Sequence, residues 1–243
     1  MNKLLASFGW ILLLLPFISV AGTKTILHSI HTAASSENRQ VSNFNSISSS
    51  GSFDVYIKMG ISESLKITGD EDVFENIETK VENGILKIRA KKSINNWGWS
   101  SGEKVKIYIT AKSLTDLTLS GSGAVRVEGT IKSSQLNAVV SGSGSMDLNA
   151  NSLTLNATIS GSGSLTASGF AEKTRIVISG SGQFKGQNLK SNIADIKVSG
   201  SGGAWIHADE VLNASVSGSG NISYSGNPQV SQSTSGSGRV RKI

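Results

Sequence analysis

Leu155-Asn156-Ala157-Thr158-Ile159-Ser160-Gly161-Ser162-Gly163-Ser164-Leu165-Thr166-Ala167 is the stretch that decides the fold. Apolar and polar residues alternate up to a Ser-Gly-Ser-Gly, and the alternation resumes beyond it. Alternation with period two marks a strand with one buried face. The small residues between the two runs mark a sharp bend.

This stretch is one of seven. Ser-Gly-Ser-Gly begins at Ser120, Ser141, Ser160, Ser179, Ser199, Ser217 and Ser235, in steps of 21, 19, 19, 20, 18 and 18 residues. A period near twenty held for over a hundred residues is the mark of stacked coils. Composition alone would also suit a flexible linker, but a linker has no reason to keep an apolar register, and these flanks keep one. One residue before the serine stand Leu119, Val140, Ile159, Ile178, Val198, Val216 and Thr234. Three before it are Leu117, Ala138, Ala157, Ile176, Ile196, Ala214 and Gln232, and five after it Val125, Met146, Leu165, Phe184, Ala204, Ile222 and Val240. The column four before is polar: Asp116, Asn137, Asn156, Arg175, Asp195, Asn213 and Ser231.

Each coil therefore turns at a pair of glycines: Gly121 and Gly123, Gly142 and Gly144, Gly161 and Gly163, Gly180 and Gly182, Gly200 and Gly202, Gly218 and Gly220, Gly236 and Gly238. Glycine takes φ > 0 without a Cβ clash and lets neighbouring backbones approach. At about 4.8 Å per coil the seven turns span about 29 Å. The stacked serines are expected to exchange hydroxyl hydrogen bonds, and Asn137, Asn156 and Asn213 to form a partial amide ladder. One coil cannot bury its own apolar stripe, so the coils share a continuous core.

The first twenty-one residues read as a secretory signal: a basic Lys3, an apolar run densest at Ile11–Leu15, and the small-x-small site Ser19-Val20-Ala21. Residues 22–46 read as a polar lead-in before the fold. Residues 47–243 form one domain, with a cap region over 47–115 and the repeats over 116–243. The chain contains no cysteine, which excludes a disulfide framework and a lipid anchor on cysteine. No apolar run after the signal is long enough to span a bilayer. Net charge is +6, with the basic residues scattered apart from Lys91-Lys92 and the terminal Arg239, Arg241 and Lys242. Nucleic-acid binding needs a denser basic face with interleaved aromatics. The chain is thus expected in the periplasm or at the cell surface.

The cap region is β-patterned but less regular. Phe53, Val55 and Ile57 alternate with polar neighbours, Leu65 and Ile67 follow, and Thr79–Ile88 reads as a hairpin turning at Asn83-Gly84. Asp70-Glu71-Asp72 suits the start of a short helical segment better than a calcium loop. Val105, Ile107 and Ile109 lead through Leu114 and Leu117 into the repeats. An antiparallel-rich cap is expected here, because an open coil end is an exposed sheet edge.

Ser50-Gly51-Ser52-Phe53-Asp54-Val55-Tyr56-Ile57, the Glu82-Asn83-Gly84-Ile85-Leu86-Lys87-Ile88 hairpin, the Ser-Gly-Ser-Gly repeats and Tyr224-Ser225-Gly226-Asn227-Pro228 resemble the head GIN domain. That domain occurs in exported bacterial proteins classed as autotransporter adhesins. The resemblance covers about residues 45–243. It implies a right-handed β-helix-like fold and lends modest weight to binding, and it brings no catalytic residues. A translocator barrel has no room after the repeats.

Enzymatic chemistry on this scaffold needs paired carboxylates, or a carboxylate and a base, on one face. Asp147 lies one coil from Arg126, most simply as a cross-coil ion pair. His207 stands beside Asp209 and Glu210 in an expected loop, and His28 and His31 lack further ligands for a metal. No catalytic residue, metal or cofactor is expected. Trp97 and Trp99, amid small polar residues, either stack on a ligand or cover a seam of the cap. Trp205 offers a separate outward patch. The reading is an all-β solenoid acting as an exported, non-catalytic binding module for a glycan or an envelope protein. The alternatives are a structural envelope protein that assembles through its ends and, third, a polysaccharide-degrading enzyme.

Overall fold

The computed structural model describes residues 35–91 and 105–243. The segment read as a signal, residues 1–21, and His28, His31, Trp97 and Trp99 lie outside the described residues. The remainder is a β-solenoid of about seven turns. Long bent strands carry the repeats: β9 (Ala124–Gly142), β10 (Ser145–Gly161), β11 (Ser164–Gly180), β12 (Gln183–Gly200) and β13 (Gly203–Gly218). They are preceded by β8 (Asp116–Gly121) and followed by β14 (Asn221–Ser225), β15 (Gln229–Ser235) and β16 (Arg239–Lys242). Successive coils pair in parallel, and serine stands on serine: Ser120 on Ser141, Ser141 on Ser160, Ser160 on Ser179.

The apolar columns stack in the same register. Val125, Met146, Leu165, Phe184, Ala204 and Ile222 form one uninterrupted column, and each is no more than 2% exposed. Phe184, the largest member, stands on Ala204, the smallest, so neighbouring coils share volume while keeping the density a core requires.

The Ser-Gly-Ser-Gly corner is the rigid bend. The first glycine of every copy has φ between +106° and +115°. Its carbonyl receives N–H groups from the next coil: Gly142 O accepts from Ser162 N and Gly163 N, both at 2.9 Å. The second glycine is demanded by space, since a Cβ on Gly163 would stand 2.6 Å from Val140 Cγ1 and 2.7 Å from Gly144 O. Variation in coil length is absorbed at the other bend, where the pairing slips between Asp147 and Asn149, between Thr166 and Ser168, and between Gly186 and Lys190.

The expected serine ladder is largely absent. Among the described residues only Ser52 and Ser122 share a corner hydroxyl bond, at 3.1 Å. Neighbouring coils lie about 4.8 Å apart, beyond hydroxyl reach unless the corner tightens. The amide ladder forms between Asn137 and Asn156 and is continued by acidic residues. Asn156 donates to Asn137 at 2.9 Å, Asn137 to Asp116 at 2.7 Å, and Ser46 to Asp116 at 3.0 Å. Farther along, Asn213 donates to Asp195 at 2.7 Å.

The N-terminal region continues the stack out of sequence order. β2 (Ser46–Gly51) and β3 (Asp54–Met59) follow one another as the two strands of one coil; β6 (Ile85–Ala90) and β7 (Lys106–Ala111) are the two strands of another. β2 lies between β6 and β8, and β3 between β7 and β9, all in parallel. The earliest pair is therefore sandwiched between two that come later. Antiparallel pieces surround them: β5 (Ile77–Glu82) on β6, β4 (Ser64–Gly69) on β7, and β1 (Ser35–Arg39) on β4. The β5–β6 hairpin turns at Asn83 (φ 52°) and Gly84 (φ 75°), the two left-handed residues of a type I′ turn. Asp70 caps the 3₁₀ turn Glu71–Asn76 by accepting from Asp72 N.

Residues 35–46, read from the sequence as lead-in, carry β1 and the first residue of β2. β1 has almost no apolar content. Backbone pairing holds it, together with Arg39, whose guanidinium donates to Phe74 O at 2.7 Å, to Ile77 O and to Thr79. Glu63 fastens the following bend by accepting from Asn43 N and Phe44 N at 3.1 and 3.3 Å. The bond from Asn43 is the chief cause holding its carboxyl below the usual range.

Candidate functional site

Strand alternation turns Tyr56 of β3, Tyr108 of β7 and Arg126 of β9 outward on one face, and parallel register stacks them. The two tyrosine rings lie 5.2 Å apart at 16°, and the Arg126 guanidinium stands 5.7 Å over the Tyr56 ring. Arg126 Nη1 also donates to Tyr56 Oη at 3.2 Å. On the other side Lys66 of β4 is the register partner of Tyr108. The result is a cation–phenol ladder of four members, with cation–π attraction at the Arg126 end.

The ladder lines a surface cleft of about 620 Å³, with Lys58, Ser64, Thr110, Glu128 and Asp147 around it. The Tyr56 ring has Tyr108 against one face and the Arg126 guanidinium over it, while Tyr108 remains 41% exposed. A ligand here meets the exposed Tyr108 ring together with phenol hydroxyls, ammonium groups and two carboxylates.

The expected Arg126–Asp147 ion pair does not form, although the two are register partners. Arg126 has a neighbour on each side, and Tyr56 offers both a hydroxyl and a π-face. His207 lies in strand β13, not in a loop. Its Nδ1 is 2.9 Å from Ser225 and its Nε2 2.9 Å from Asp209, so both ring nitrogens are occupied by the surface network. Among the described residues no three His, Cys, Asp or Glu side chains gather as metal ligands.

Trp205 sits half-buried between Lys185 and Ser223 in the register. Its six-membered ring lies over Gly203, where a Cβ would stand 3.1 Å from Cη2. It is several coils from the tyrosine ladder and does not share the cleft. Neither tyrosine was singled out from the sequence; the available signal was two tyrosines at outward positions of strands that the alternation already defined.

A second cleft, about 460 Å³, opens on the neighbouring face between Arg175, Val177, Lys197, Ser215 and Ser233. At its floor Asp195 accepts from Asn213 and pairs with Lys173 at 3.1 Å. Burial pushes the Asp195 carboxyl up, but these bonds together outweigh it and leave the group below its ordinary value. Asp195 is an acceptor locked into the ladder and is poorly suited to take up a proton.

A family model described as "Putative auto-transporter adhesin, head GIN domain" matches residues 43–228. Among solved structures, a "putative adhesin" from Bacteroides fragilis is 25% identical with a TM-score of 0.80, over 87% of this chain and 98% of that one. A "putative lipid binding protein" from Parabacteroides distasonis is also 25% identical, with a TM-score of 0.71 over 88% and 98%. A "putative adhesin" from Parabacteroides merdae shares the fold at 23% identity and a TM-score of 0.68, over 88% and 97%. No curated protein matches the chain.

Proposed function

The chain belongs to the head GIN domain family, and from that premise we propose that it is an exported, non-catalytic, adhesin-like binding module of the bacterial envelope whose ligand is a glycan. The cleft around Tyr56, Tyr108, Arg126, Lys58 and Lys66 carries the reading. It presents hydroxyl and ammonium donors on paired strands, and rigid elements hold binding groups more precisely than loops do. Its two carboxylates, Glu128 and Asp147, share the cleft with three cations, Lys58, Lys66 and Arg126, so charged donors and acceptors face a ligand together. That combination favours holding a polyhydroxylated chain over cleaving it. Trp97 and Trp99 enter this reading as the proposed residues for stacking on sugar rings, on their residue type alone.

The test is binding of the purified chain to an array of bacterial and host glycans. Two variants run beside it: Tyr108→Ala with Lys66→Ala, and Trp97→Ala with Trp99→Ala. Saturable binding that weakens about tenfold or more in either still-folded variant supports the reading, since a lost charge-assisted hydrogen bond is worth about that much. A blank array, or binding indifferent to both variants, overturns it.

A further inference from the structure

The two edges of the continuous sheet are unlike. In the strand order β1–β4–β7–β3–β9–β10–β11–β12–β13–β14–β16, β1 closes one edge and β16 the other. Among the described residues β16 pairs only with β14, and β15 beside it pairs only with β13. The last coil thus presents an outer row of unpaired backbone groups. At the corner, Gly218 and Gly220 accept N–H groups from Gly238 and Arg239, while among the described residues no backbone N–H of a neighbouring coil reaches the corresponding carbonyls of Gly236 and Gly238. An open parallel edge of this kind is a template for another strand.

Charge distinguishes the ends. β16 carries Arg239, Arg241 and Lys242. Among the described residues none of the three has a carboxylate partner: Arg241 donates to Ser223 and Lys242 to Asn227. At the opposite end a cleft of about 670 Å³ between β1 and the 3₁₀ turn is lined by Glu37, Glu71, Asp72 and Glu75. Arg39 answers Glu37. Glu71 has a serine hydroxyl at 3.4 Å.

Direction fits as well. β1 is antiparallel to β4, which is antiparallel to β7, which is parallel to the rest of the stack. β1 therefore runs the same way as β16. A second copy displaced along the stack would set its β1 beside β16 in parallel, continuing the ladder.

We propose that a second copy of this chain docks head to tail, its acidic β1 edge on the basic β15–β16 edge, so that the molecules join into strings. The contact is heterologous, and because each copy keeps one free end of each kind it does not close into a dimer. The same three cations repel another β16 edge, which blocks tail-to-tail pairing and selects the acidic end.

The experiment is sedimentation of the purified chain across a concentration series, at about 0.1 M and about 1 M salt, where the Debye length falls from about 10 to about 3 Å. The proposal expects species larger than dimers that grow with concentration and dissociate at high salt. The reversal Arg239→Glu, Arg241→Glu, Lys242→Glu should weaken self-association by about tenfold or more. So should Glu71→Lys, Asp72→Lys, Glu75→Lys. Mixing the two reversed chains should restore association, because each end of one now meets an oppositely charged end of the other, and give alternating strings, an outcome that a merely misfolded variant cannot produce. A monomer at every concentration overturns the proposal and leaves the edge to a different partner. A salt-insensitive closed dimer, or two reversed chains that fail to pair, also overturns it.

Discussion

Gly161 has φ +107°, and a Cβ there would stand 2.6 Å from Gly142 O. Strain and clash act together, so Gly161→Ala should cost about 3 kcal/mol or more. Ser162, between the two glycines, has an exposed hydroxyl, and Ser162→Ala should stay within about 0.5 kcal/mol. Urea midpoints of the two variants check the contrast. Thr174 gives the opposite sign. It is fully buried, its Oγ1 has no partner, and its register neighbours are Leu155 and Ala194. Thr174→Val keeps the shape and removes the unsatisfied hydroxyl, so it should stabilise by about 1 kcal/mol. In a chain of this size that raises Tm by about 2–4 °C, readable by calorimetry.

The ladder through Ser46, Asp116, Asn137 and Asn156 ties four coils across one face, and Asp116 is its terminal acceptor. Burial pushes the Asp116 carboxyl up, yet hydrogen bonds from Thr115, Asn137 and Ser46 prevail and hold it below its ordinary value. A depressed carboxylate contributes stability that is present above the unfolded value, about 3.9, and is lost as pH falls through the folded one. The urea midpoint should therefore decline as pH drops below about 4, and Asp116→Asn should flatten that decline while lowering stability at neutral pH. This polar column was legible in the sequence because its members recur at one offset from the serine. The apolar columns were legible for the same reason. The serine ladder was misread because offset fixes who stacks on whom but not whether a short side chain bridges about 4.8 Å.

Across the whole molecule, the repeats were readable and the N-terminal third only in part. A strand announces itself through its buried face; β1 has little of one, being held by backbone pairing and the guanidinium of Arg39. The stacking order was not readable at all. Val55 fits against Ile107 and Val125 alike, so alternation leaves the choice of neighbours to the tertiary fold. The tyrosine ladder was hidden for a related reason, since Tyr56, Tyr108 and Arg126 are far apart in sequence and meet only through that order.

The sandwiched β2–β3 pair also gives the molecule a mechanical polarity. Under tension the C-terminal coils can peel away singly, each held by one neighbour and each releasing about 19 residues, or about 60 Å of extended chain. The β2–β3 pair cannot leave that way, because pulling it free requires shearing two ladders at once. The molecule would therefore have a compliant C-terminal end that lengthens coil by coil and a stiffer region around β2 and β3, held on both sides.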